Sequence, residues 1–371
     1  MLLYLWRYTL DHESRPWKQS FDKIAVIDNA ASVIWHEKNN DLGDFEIYIR
    51  ASAELLDIVS NGHIFVTRDD RDIAMYIESV LTVTDEENGD YLTISGHTAD
   101  IILNWRLTRI LNFSSTPATA ETIMRYALGQ FVPHITGTIP SDLQPLQLGA
   151  VKGYDDELTV QYTNRTLLYI VKDLCTRYNY GYKLVFDGFH LIFELYKGTD
   201  RSFDQNENTF VIFSPDYGNL GKTSYKRDTS SYYNAVSVAG EGEGKDRISV
   251  NVYPAIVWGL DQRWLYVDAR NISSNTGSTP LTDEEYKEVL RQHGIDALAQ
   301  HKVETTFNGE ILSVNSYKYG VDYGLGDKVS IENAYGIRGN ATVTGITEVE
   351  DANGYRLVPT LEEWTVYDME A

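Results

Sequence analysis

Two stretches of this chain set down glycines, turns and alternating strands in the same order. Gly62-His63-Ile64-Phe65-Val66 opens the first, and Gly326-Asp327-Lys328-Val329-Ser330 opens the second, 264 positions on. Val80 then falls beside Gly345-Ile346, Asn88-Gly89 beside Asn353-Gly354, and Tyr91 beside Tyr355. Asn-Gly supplies the two positive-φ positions that a two-residue hairpin turn needs. Any two hairpins share glycines and alternation, so it is the near-constant spacing that points to duplication. The expectation is two copies of one small antiparallel barrel or sandwich. With two similar domains per chain, three chains can build a ring of six similar units.

The rest of the chain sorts around these ends. Residues 1–105 read as a β-rich, barrel-like domain, with strands at 2–9, 23–28 and 32–35. Asp44-Phe45-Glu46-Ile47-Tyr48-Ile49-Arg50 alternates as a half-buried strand. Strands follow at 64–66, 74–84 and 91–94, then a short helix over 99–103 capped by Thr98. Residues 106–225 read as an α+β domain with helices at 119–128 and 167–178. Gly129 is a natural stop for the first helix, and Leu167, Ile170, Val171 and Leu174 share one face of the second. Strands are expected at 182–186, 190–196 and 210–213, and residues 131–145, with their prolines, as irregular chain. Residues 226–371 form a β-rich region that holds strands at 232–238 and 247–253, one long helix over 281–303 and the second barrel-like domain. Thr282 and Glu285 spell a capping box at the start of that helix, and Gly294 interrupts its apolar stripe. The fold class is therefore mainly β with α+β insertions.

Composition narrows the function. The formal charge is −22, whereas a nucleic-acid groove needs clustered Lys and Arg. Cys175 is the only cysteine, which excludes a disulfide framework or a multi-cysteine metal site within one chain. Tyrosines outnumber phenylalanines 26 to 12, an amphipathic aromatic load that suits sheets and protein interfaces. The apolar start at Met1–Trp6 is cut short by Arg7 and Asp11, so it reads as a first strand and not as a signal peptide. No apolar run approaches the roughly 18 residues of a membrane span. The chain reads as soluble and made in the cytoplasm.

Candidate chemistry is thin. Acidic pairs occur at Asp155-Asp156-Glu157, Glu284-Glu285 and Glu348 with Glu350-Asp351, and a glycosidase would need two such groups facing each other across a sugar. In so acidic a chain they read as solvated loops. Gly240-Glu241-Gly242-Glu243-Gly244-Lys245 lacks the Gly-Lys-Ser/Thr ending of a phosphate loop and reads as a hairpin connection. Asp69-Asp70-Arg71-Asp72 lacks calcium-loop spacing and reads as a tight turn. Cys175 follows Leu174 on an amphipathic helix, where burial is expected in place of nucleophilic use. His97 and His134 have no sequence partner that completes a triad. The tyrosines at 178, 180 and 182 and at 232–233 fit core or subunit interface better than sugar stacking. No catalytic, cofactor-binding or metal-binding residue is assigned, and no cofactor is expected.

Four places carry a resemblance. They are Trp35 through Gly43-Asp44-Phe45-Glu46-Ile47, Ser95-Gly96-His97-Thr98-Ala99-Asp100-Ile101-Ile102 with Trp105-Arg106, and Phe307-Asn308-Gly309-Glu310-Ile311 after the long helix. The fourth and most specific is Tyr319 through Asp327-Lys328-Val329, with its Asp-Tyr-Gly-Leu-Gly-Asp. In these the chain resembles the tail hub proteins of bacteriophages, the siphophage tail-associated proteins of the distal tail tip. The resemblance implies a homotrimer in which two barrel-like domains per chain form a pseudo-sixfold ring, with α+β domains between them. It also implies stacking on the distal tail ring protein, contact with tail tube or tape-measure proteins, and a structural role in the virion. DNA would pass the channel without specific binding. Many relatives carry a long C-terminal extension with a fibre or a wall-degrading enzyme, while this sequence stops at Ala371, so receptor-binding or hydrolase functions are expected either on other chains or on a stretch beyond this sequence. The alternatives are a carbohydrate-binding host-attachment module and a cell-wall glycan hydrolase.

Overall fold

The computed structural model describes residues 1–11, 13, 18–84, 89–113, 116–129, 145–253, 255–275, 281–312, 317–336 and 338–366. The chain opens with β1 (Leu3–Asp11), β2 (Lys18–Ile27), β3 (Ser32–Lys38) and β4 (Asp44–Arg50). A short helix α1 (Ala53–Ser60), capped by the Ser52 hydroxyl, leads to β5 (His63–Arg68), β6 (Ala74–Val83) and β7 (Tyr91–Thr98). Period-two alternation is plain in β4, where Phe45, Ile47 and Ile49 are buried and the residues between them are not. Thr98 stands at the start of a 3₁₀ turn, Ala99–Trp105, but caps nothing there. Its hydroxyl instead accepts a hydrogen bond from Gly43 N at 3.0 Å, which ties the turn to the entrance of β4.

An α+β segment follows: β8 (Leu107–Asn112), β9 (Ala118–Thr119), α2 (Ala120–Gly129), β10 (Leu146–Leu148), β11 (Glu157–Leu158), β12 (Gln161–Thr166), α3 (Leu167–Tyr178), β13 (Tyr180–Phe186) and β14 (Leu191–Lys197). Thr119 and Thr166 cap the two helices, and Asn179 ends α3 in the left-handed region. Leu167, Ile170, Val171 and Leu174 are buried on α3, as their spacing predicts, in one core with Ile123 and Met124 of α2 and Tyr180 and Leu184 of β13. The expected irregular segment over 131–145 lies outside the described residues except for its last position.

The chain continues through β15 (Ile212–Phe213), β16 (Leu220–Asp228), β17 (Ala235–Ala239), β18 (Ser249–Val252), β19 (Trp264–Asp268), α4 (Asp283–Ala299), β20 (Glu304–Ile311), β21 (Lys328–Glu332), β22 (Arg338–Asp351) and β23 (Gly354–Val366). It divides into two compact units, residues 1–224 with 307–371, and residues 225–306. The sequence-based division had joined 226–306 to the C-terminal stretch. In the smaller unit β17 pairs antiparallel with β18, as expected, and parallel with β19. Helix α4 carries the capping box predicted at Thr282 and Glu285 and covers the valine face of this sheet. Gly294 does not interrupt that contact but permits it. A Cβ there would lie 2.8 Å from Val238 Cγ2 and 3.1 Å from Val236 Cγ1.

In the larger unit the duplicated landmarks become two antiparallel meanders, β5-β6-β7 and β21-β22-β23. Gly62 and Gly326 share a positive φ, at 86° and 83°, and so do Gly89 and Gly354, at 89° and 101°. Asn88 itself lies outside the described residues. The two copies do not close into separate barrels. Their strands join one sheet in the order β16-β20-β23-β22-β3-β4-β7-β6-β5-β1-β2, with β21 on β22 and β15 on β21, and no closed barrel among the described residues. The reason is the length of β22. Its first half pairs with β21, its second half with β3, and β23 runs along its other edge.

Candidate functional site

Where β3, β5 and β22 meet, the strands bury charge. Alternation along β3 turns Val33, Trp35 and Glu37 to the same inward face, and Glu37 is buried. Register places Glu348 of β22 directly opposite Trp35, and it too is buried. Arg68 at the end of β5 and Arg71 in the following turn supply the cations. Arg68 Nη2 donates to Glu348 Oε2 at 3.1 Å, and Arg71 Nη2 donates to Glu348 Oε1 at 2.7 Å. Asp70 takes a bidentate pair from Arg68 at 2.9 and 2.8 Å. Glu37 accepts from Trp35 Nε1 at 3.1 Å and from the Tyr319 hydroxyl at 2.9 Å, with Arg71 Nε 3.5 Å away. The Tyr319 ring faces the Arg71 guanidinium at 5.0 Å, and the Tyr355 hydroxyl donates to Glu348.

Two guanidinium charges thus meet three carboxylates, and environment separates the acids. Burial pushes the Glu37 carboxyl above its ordinary value, against the pull of Arg71 and Tyr319. Burial acts on Glu348 in the same direction, but the hydrogen bond and charge of Arg68, with help from Tyr355 and Arg71, hold it below. Beside the cluster opens a cleft of about 960 Å³, with Glu37, Arg71 and Tyr319 in its lining and Lys183 paired to Asp72 at 2.8 Å.

The Asp-Tyr-Gly-Leu-Gly-Asp stretch makes a second lock in the same unit. Asp327 accepts from Thr199 N at 2.7 Å, Arg201 Nε at 2.8 Å and Gly324 N at 2.9 Å. Gly198 lies so close beneath that a Cβ on it would stand 1.7 Å from the Gly326 carbonyl oxygen. Both locks hold segments far apart in sequence against one another, the N-terminal strands and the 198–201 segment against the C-terminal stretch.

Residues 13–361 match the siphovirus ReqiPepy6 Gp37-like protein family. The chain belongs to that family. Its fold is similar to that of a tail protein from Neisseria meningitidis MC58, at 13% identity and a TM-score of 0.55, over 97% of this chain and 96% of that one. It is also similar to the 43 kDa tail protein of prophage MuSo2 from Shewanella oneidensis, at 11% identity and a TM-score of 0.56, over 97% and 98%. A third likeness is to a chain of a PdpA–VgrG complex, at 8% identity and a TM-score of 0.50, over 97% of this chain and 64% of that one. At such identities the likeness is one of fold, and the fold is that of phage tail proteins. No curated protein matches the chain.

In this Gp37-like chain several of the acidic groups singled out in the sequence are tied into structure. Asp156 accepts from the Tyr180 hydroxyl and from Lys197, Glu285 closes the capping box, and Asp351 binds Arg356 at 2.8 Å. Glu350 takes the N-terminal ammonium of Met1. In the Asp69–Asp72 turn, Asp70 pairs with Arg68 and Arg71, and Asp72 pairs with Lys183. Cys175 is buried with its thiol 3.9 Å from Met124 Sδ, and burial pushes that thiol upward. His97 meets Glu78, while His134 lies outside the described residues. Tyr180 stacks on Tyr154 at 4.8 Å, Tyr182 is buried, and Tyr233 packs edge-on against His301. Glu37 did not stand out in sequence, and nor did Arg68 and Arg71 as partners of Glu348. The signal for Glu37 was there: a carboxylate in phase with Val33 and Trp35 on an alternating strand.

Proposed function

We propose that this chain is a structural component of a bacteriophage tail tip, a trimeric hub that joins the distal tail ring to the tip and forms or closes the tail tube. The observation that carries the reading is the meander present twice, β5-β6-β7 and β21-β22-β23, with matching positive-φ glycines at matching spacing. Three chains then offer six similar units to a ring partner. Membership of a siphovirus family and a tail-protein fold support the setting, a virion tail. The partners would be the distal tail ring protein, tail tube or tape-measure proteins, and fibre or receptor-binding proteins. The charge of −22 suits a wall past which DNA slides, because repulsion prevents adhesion.

The role is one of assembly, without catalysis. Glu37 and Glu348 are engaged by Trp35, Tyr319, Arg68, Arg71 and Tyr355, and so serve the sheet junction. The test is particle mass. Three chains of 42.2 kDa give about 127 kDa, and light scattering with imaging of the particle should show that mass and a ring. A chain that stays monomeric both alone and with its tail partners would remove the hub reading.

A further inference from the structure

One buried acid takes no part in either lock. Asp100 lies in the 3₁₀ turn Ala99–Trp105, between β7 and β8, and is 5% exposed. The groups that act on it most are the hydroxyls of Thr98 and Tyr182, its own backbone N–H and the carboxylate of Asp41. None of these is a cation. Lys38 of β3 and Lys183 of β13 stand nearby, but they are paired to Asp44 and Asp72, and Lys172 of α3 is paired to Asp41. Asp100 itself makes no ion pair among the described residues.

Space is as short as countercharge. A cavity of about 20 Å³ touches Thr98, Asp100 and Tyr182, which is room for about one water molecule. Tyr182 is buried, and its hydroxyl, although beside Asp100, makes no hydrogen bond of ordinary geometry. Thr98 already accepts from Gly43 N at 3.0 Å and has a single proton to give to Asp100. The other titratable groups around the turn are engaged elsewhere. Glu37 of β3 holds Trp35 and Tyr319, Tyr196 of β14 donates to the Asn39 carbonyl, and Cys175 of α3 lies against Met124. Tyr76 of β6 packs on Trp105, Tyr162 of β12 donates to Asp173 at 2.6 Å, and His97 of β7 is held by Glu78. A carboxyl with neither a countercharge nor a solvent shell is driven to its uncharged form. Burial accordingly pushes Asp100 above the ordinary carboxylate range, with Asp41 adding to the push and the two hydroxyls opposing it.

We propose that Asp100 is carried in the fold as a neutral carboxylic acid, whose O–H completes the bond that the Tyr182 hydroxyl otherwise lacks, so that the joint between the end of β7 and β13 depends on a bound proton. Removing that proton sets a second carboxylate beside Asp41 with room for one water, and the joint loosens. The folded-state value is raised, so the contribution is full below an ordinary value of 3.8 and is lost as pH rises through the folded value.

Infrared spectra of the folded chain near neutral pH test this. Exposed carboxyls are ionised there, so the carbonyl band of a protonated one stands apart. The expected band shifts when aspartate side-chain carboxyls are isotope-labelled, which separates Asp100 from the glutamates, Glu37 included. Asp100→Asn keeps the shape, cannot ionise, and should lose the band. In urea unfolding between about pH 6 and 9, wild type should weaken against Asp100→Asn by up to about tenfold in the folding equilibrium constant per pH unit, the limit for one linked proton. Should that variant not fold, a shift of the band in Tyr182→Phe makes the same assignment, and an unshifted band counts against it. Folded wild type without a label-sensitive band would overturn the proposal, as would a band that survives in Asp100→Asn or pH profiles that run parallel.

Discussion

Glu37 and Glu348 sit within one network yet respond to protons in opposite senses. The folded-state value of Glu348 is depressed, so its stabilisation is present above an ordinary pKa of about 4.5 and is lost as pH falls through the folded value. That of Glu37 is raised, so its contribution is full below about 4.5 and is lost as pH rises through the folded value. Glu37→Gln should therefore gain on wild type in urea-unfolding free energy between pH 4.5 and 8, and a flat difference would contradict the burial argument. Glu348→Ala leaves the buried Arg68 with Asp70 as its remaining acidic partner and takes a partner from Arg71, and should cost about 1–3 kcal/mol at neutral pH in the same assay. The network was only partly legible in sequence. Alternation shows that Glu37 points inward, but nothing local shows that Arg68 and Arg71 meet an acid some 280 positions on.

Elements were read best where their signal is local. Helix α3 lies where its apolar spacing put it, and the capping box of α4 formed as written. β19 was missed, although Trp264-Leu265-Tyr266-Val267-Asp268 alternates, because it pairs in parallel across a long connection that no turn motif announces. Gly294 was read as a gap in a helical stripe when it is the point of closest approach to the sheet. Gly294→Leu should test the difference. Its added carbons meet Val236 and Val238, whose branched side chains have little room to turn, and the expected loss is about 1–3 kcal/mol by urea unfolding despite better helix propensity. A neutral or stabilised variant would mean that α4 stands further from the valines than described.

For the molecule as a whole, the duplication was legible and its closure was not. Turn glycines report hairpins, whereas the pairing of β22 with β3 is a long-range event with no local signature. The proposed trimer would bring three charges of −22 together, so association should tighten as salt rises from about 50 to 500 mM and screening shortens. Light scattering across that range checks it, and weakening with salt would point to an interface held by ion pairs. The shared strand also sets an order of events during synthesis. Trp35 of β3 waits for Glu348 of β22, and at about 5–20 residues per second the ribosome takes roughly 15–60 s to supply it. For that interval β3 has an unpaired edge, while the 225–306 unit emerges whole and can fold first. The sheet is finished only when the last strands, β22 and β23, arrive.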